Sequence, residues 1–82
     1  MNESRKKILC ALGCLVRQRR TELELSQEEL GLRANLDRTY ISGIERGVRN
    51  PSLTALVSLA SGLNIEVAHL LNGLEIKAES IE

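Results

Sequence analysis

A chain of 82 residues has room for one domain with one modest core, and with Tyr40 as its single aromatic that core must be built from Leu, Ile, Val and Ala. Apolar residues at 43% against charged residues at 27% exclude a chain disordered throughout, and no apolar run approaches the roughly 18 residues of a membrane span. A net charge of zero argues against a nucleic-acid binder, but residues 1–50 carry 10 Lys/Arg against 7 Asp/Glu, whereas after Pro51 Lys77 stands against Glu66, Glu75, Glu79 and Glu82.

The first predicted element is a helix from about Ser4 to Leu23, with Ile8, Leu12, Leu15, Val16 and Leu23 on one face and Ser4 or Asn2 as its cap. Ile8–Val16 follows Arg5, Lys6 and Lys7 in the manner of a signal peptide. However, Arg17, Arg19 and Arg20 come directly after it and no small-residue cleavage site appears. A soluble, cytoplasmic protein with no membrane partner is expected. Cys10 and Cys14 share a face of this helix and read as buried small hydrophobes, since no ligands cluster with them to hold a metal.

Ser26 with Glu29 three residues on forms a capping-box signature that opens a second helix ending near Ala34. Asn35 stands where a left-handed turn is required, a conformation Asn tolerates. Asp37 then caps a third helix, Arg38 to Arg46, and Gly47 ends it. Ser52 caps a fourth, carrying Leu53, Leu56, Val57, Leu59 and Ala60 up to Gly62. A short fifth helix spans Glu66 to Leu71 and ends at Gly73. The expected organisation is an all-α, five-helix domain over residues 1–74 and a loose acidic tail over 75–82.

Two short helices joined by a turn of about three residues have the geometry of a helix-turn-helix. Leu36, Ile41 and Ile44 would bury the inner face of the third helix, and the small Gly31 sits where the pair crosses. The outer face then holds Arg38, Thr39, Ser42, Gly43 and Arg46, with Tyr40 to one side. Arg bonds a guanine edge in two places, Thr and Ser bond any base, and the Thr methyl touches a thymine methyl. The bland alternative is a solvated helix face. Tyr40 is equally able to pack or to contact DNA.

The stretch SQEELGLRANLDRTYISGIERGVRNPS resembles the Cro/phage-repressor (XRE) class of helix-turn-helix proteins, over roughly residues 8–72. Its part LDRTYISGIERGVRNPS resembles restriction–modification controller proteins, although other small XRE repressors carry similar segments. The resemblance implies a lambda-repressor-like fold whose second and third helices bind double-stranded DNA at a pseudo-palindromic operator. It implies Arg38, Thr39 and Ser42 at bases, and Gln27, Tyr40, Arg46 and Asn50 at phosphate or sugar. It also implies an ion pair between Arg20 and Glu45, a homodimer, and RNA polymerase as a further partner of a transcriptional regulator. Gly43 departs from the family, whose members often carry a long polar side chain there; Gly31 and Asn35 depart from its usual alanine and glycine.

Helix 5 offers Ile65, Val67, Leu70, Leu71 and Leu74, more apolar residues than one short helix hides, so a dimer interface is expected there, at Ile65, Val67, Leu70 and Leu71. His69 reads as a surface or dimer-edge residue. No phosphate loop, metal constellation or nucleophile motif is present, so neither an enzyme nor a cofactor is expected. The rival class is an antitoxin or other protein-interaction module of the same fold.

Overall fold

Three helix starts in this chain are fixed by short side chains that take up free backbone amides, and each of these caps sits where the sequence places it. In the computed structural model, which describes residues 3–81, Ser26, Asp37 and Ser52 all have extended backbone and accept from amides of the helices they open. The elements are α1 (Glu3–Glu22), α2 (Gln27–Ala34), α3 (Arg38–Glu45), α4 (Leu53–Gly62), α5 (Val67–Leu70) and α6 (Leu74–Glu79). No strand occurs among the described residues, and no single helix there is long and apolar enough to cross a membrane.

The core is aliphatic. Val16 of α1, Leu30 of α2, Ile41 and Ile44 of α3, and Leu59 of α4, with Leu63 just beyond it, are fully buried; Leu12 and Leu70 join them. The α2–α3 pair rests on α4 through α2 and is backed by α1, which packs against both α3 and α6. Close approach rather than bulk sets the α1–α3 distance. A Cβ built on Gly13 would lie 2.5 Å from the Glu45 carbonyl oxygen and 2.6 Å from that of Ile44, so only glycine admits this crossing.

Several sequence expectations need correction. Ser4 does not cap α1, because the helix already runs at Glu3; Asn2 and Glu82 lie outside the described residues. Cys14 is exposed and Cys10 only half-buried, so the pair is not a buried one. Of the apolar residues that the fourth helix carries, Leu53 and Val57 are 71% and 53% exposed. The segment read as a loose tail is largely α6, packed on α1 with Ala78 buried. Leu74 and Ala78, four apart, give it one narrow apolar edge. Its start has no side-chain cap, only Gly73 at φ 78°, which leaves little for a sequence pattern to signal.

Candidate nucleic-acid interface

The geometry of the interface begins with the turn between α2 and α3. Ser26 Oγ accepts from the Glu29 amide at 2.9 Å while Glu29 Oε1 accepts from the Ser26 amide at 2.8 Å, closing the capping box. Asn35 takes the left-handed conformation at φ 56°, and the Leu36 amide donates to Gly31 oxygen at 2.9 Å. A Cβ on Gly31 would meet the Leu36 carbonyl oxygen at 2.6 Å, so this glycine lets the turn fold against α2. Asp37 then starts α3, accepting the Thr39 amide at 2.8 Å.

This construction leaves Arg38, Thr39 and Arg46 exposed and Ser42 half-buried, and the four line one shallow hollow of about 160 Å³. Arg46 Nε donates to Ser42 Oγ at 3.3 Å, leaving the Ser42 proton free. Asn50 is exposed in the loop after α3, beside a buried Pro51. Tyr40 packs against the core with part of its ring, and the Arg49 guanidinium lies over that ring, 4.8 Å from its centroid. The phenol therefore combines packing with a place at the rim of the face.

Gly43 is not on the open face where the sequence places it. It is buried, and a Cβ there would stand 3.2 Å from Arg49 Cβ. The Val48 and Arg49 amides both donate to the Gly43 carbonyl, at 3.0 and 3.2 Å, folding the loop back over the helix. Arg49 thereby occupies space that a side chain at 43 would need. Sequence reasoning missed Arg49 as a residue that folds over this part of α3 and stacks on Tyr40. Its one signal was a cation six positions beyond a glycine that stands where a long polar side chain is usual.

Behind the face lies a charged cluster. Arg20 Nε and Nη2 donate to Glu45 Oε2 and Oε1 at 2.6 and 3.0 Å, and Arg20 Nη1 donates to the Leu25 carbonyl at 2.7 Å. Gln27 Nε2 adds 3.1 Å and Arg17 Nε 3.4 Å, both to Glu45 Oε1. The structure thus brings Arg20 and Glu45 together with the Glu45 side chain wholly buried. It also draws Gln27 inward, so one amide hydrogen of Gln27 serves Glu45 and the other remains for an outside acceptor. Arg20, Ser26, Gln27, Glu28 and Arg38 line a second hollow of about 440 Å³ at the start of α2, where free amides favour an anion.

Burial raises the Glu45 carboxyl, but the hydrogen bonds from Arg20 and Gln27 and the Arg20 charge more than offset it, leaving Glu45 below the usual range. A depressed carboxylate stabilises the fold above its unfolded value of about 4.3, and that stability is lost as pH falls through the folded value. We expect urea midpoints to fall below about pH 4, and the fall to be shallower in Glu45→Gln than in the parent. Equal acid slopes would show that Glu45 does not carry the effect.

The dimer-interface expectation is only partly compatible with the fold. Leu70 is 3% exposed and belongs to the core; Ile65, Val67 and Leu71 are half-buried against it. Ile65 and Val67 line a hollow of about 550 Å³ with the exposed Val57 of α4. The apolar surface left open here is this α4–α5 edge, not Leu70. No group of three or more His, Cys, Asp or Glu residues able to hold a metal occurs among the described residues.

Comparison with known proteins agrees with this geometry. A helix-turn-helix family model matches residues 16–70. Control protein C.MunI from a Mycoplasma species is 41% identical over 61 residues, covering 74% of this chain and 82% of that protein. The restriction–modification controller protein C.AhdI from Aeromonas hydrophila superposes with TM-score 0.74 at 45% identity, over 76% of this chain and 94% of the other. The controller C.Esp1396I, solved as a tetramer on its natural 35 base-pair operator, gives TM-score 0.79 at 33% identity over 89% and 96%.

Proposed function

The chain belongs to the helix-turn-helix family, within the restriction–modification control proteins, and from that premise we propose that it is a sequence-specific transcriptional regulator binding a pseudo-palindromic operator as a homodimer. The observation that carries this reading is the start of α3. Arg38 and Thr39 stand exposed at a capped helix end beside Ser42 and Arg46, with no aliphatic side chain among them. N-terminal residues of the second helix are the ones that reach base edges in this motif. Arg38, Thr39 and Ser42 take the bases. Gln27, Tyr40, Arg46 and Asn50, joined by Arg49, take the backbone.

One such helix offers too few base contacts for selective binding, and two related by a twofold axis read half-sites about 34 Å apart. Val57, Ile65 and Val67 supply the self-complementary edge for this pairing. The acidic balance after Pro51 keeps that end away from phosphate. Acting in the cytoplasm, the protein works through DNA occupancy and contact with RNA polymerase, without enzymatic activity of its own.

Site selection from random duplex DNA, followed by anisotropy titration, tests the proposal. Affinity should fall steeply with salt as counterions are released, and two chains should bind each site. Arg38→Ala should cost about 1–3 kcal/mol on the selected site and relax preference at one base position. Unchanged affinity and preference in that variant, or binding insensitive to salt, would refute the assignment.

A further inference from the structure

A threonine hydroxyl carries a single proton, and in Thr39 that proton is already committed. Thr39 Oγ1 donates to Asp37 Oδ1 at 2.6 Å, and the same oxygen accepts the Thr39 backbone amide at 2.8 Å. These two bonds, side chain before backbone, hold the Asp37 carboxyl below its usual range, so it is ionised and has no proton to give back. Paired contacts also fix the side chain, because a β-branched residue has few rotamers and this one turns Oγ1 toward the cap. Oγ1 can then only accept, and the Cγ2 methyl is the apolar group that Thr39 has free. The residue is exposed and lines the hollow shared with Arg38, Ser42 and Arg46.

We infer that Thr39 recognises DNA through its methyl group and not by donating its hydroxyl, with Asp37 as the positioning residue that withholds the proton. The base it selects carries a 5-methyl group, which in unmodified DNA is thymine. The inference rests on the DNA-binding reading of α3 and adds to it a chemical identity for one base. A thymine C5 methyl packed against Cγ2 removes about one methyl from water, which corresponds to about fourfold in affinity.

The test uses a duplex selected by the full chain from random sequence, with each thymine replaced in turn by deoxyuridine. This removes the methyl and leaves base pairing intact. One thymine in each half-site should show the fourfold loss with the parent protein. Thr39→Val keeps a branched methyl without the hydroxyl and should retain that loss, whereas Thr39→Ser should bind both duplexes equally. Asp37→Asn keeps a cap acceptor and should behave as the parent; Asp37→Ala should blunt the thymine preference at a folded fraction matched by circular dichroism. The inference is overturned if Thr39→Ser keeps the discrimination while Thr39→Val loses it, or if Asp37→Ala discriminates like the parent. It is also overturned if the parent binds a selected site yet ignores every thymine methyl, an outcome that leaves the DNA-binding reading standing. A chain that selects no duplex at all overturns both.

Discussion

Glu45→Ala is expected to cost about 3–5 kcal/mol, the loss that follows when one partner of a buried ion pair is removed. The carboxylate has no exposed side-chain surface, and the Arg20 side chain is only 14% exposed. Three side chains from two helices, Arg17, Arg20 and Gln27, converge on it. Removing it leaves the Arg20 guanidinium in a nearly dry site with the Leu25 carbonyl as a remaining acceptor. Small domains have about 5–15 kcal/mol in all, so the variant should be marginal at physiological temperature. Arg17→Ala is the internal contrast. Its side chain is 58% exposed, and it should cost about 1 kcal/mol at most. Urea unfolding measures both, and a Glu45→Ala loss no larger than that of Arg17→Ala would remove the cluster from the account of stability.

Gly13→Ala is the second large effect, and its sign runs against helix propensity. In an exposed helix interior alanine is favoured over glycine by about 1 kcal/mol. Here the added carbon would meet two carbonyl oxygens and the Glu45 carbonyl carbon, all within 2.9 Å, and these are backbone atoms that cannot rotate aside. Either α1 moves out or the end of α3 moves away, and overpacking of this kind costs about 1–3 kcal/mol, occasionally more. A fall in the melting midpoint of several degrees is expected, since about 1 kcal/mol corresponds to about 4–8 °C in a domain of this size. A raised midpoint would show that the crossing relaxes freely. Because Glu45 supplies one of the clashing carbonyls as well as the buried carboxylate, this variant and Glu45→Ala should not combine additively.

What could be read in the sequence was local. Ser26 with Glu29, and Asp37 before Arg38, specify helix starts through groups two or three residues apart, and the folded chain uses the same bonds. Asn35 in its left-handed turn follows the same logic. The all-α architecture and its first five helices followed from these caps and from apolar spacing. What escaped depends on elements distant in sequence. Nothing in α1 marks Gly13 as the residue facing the carbonyls of Ile44 and Glu45. Gly43 was assigned to the open face by its angular position, yet a loop five and six residues later covers it. Counting apolar residues near helix 5 could not tell which turn inward, and Leu70 went to the core. An uncapped helix with a two-residue apolar edge, α6, gave too weak a periodic signal to be seen.

The cap on Thr39, the Arg46 bond to Ser42 and the stacking of Arg49 on Tyr40 bear on the entropy of association. Each rotamer-rich side chain frozen at an interface costs about 0.5–1.5 kcal/mol. In the proposed complex Thr39 would arrive with its rotamer already fixed, and Tyr40 and Ser42 partly restrained. With α1, α2 and α3 pinned together at one carboxylate, little backbone remains to be ordered at the motif. On the proposed reading of α3, the conformational cost of binding would fall mainly on the long arginines, and Arg38, which has no tether comparable to those of Arg46 and Arg49, would give up the most freedom.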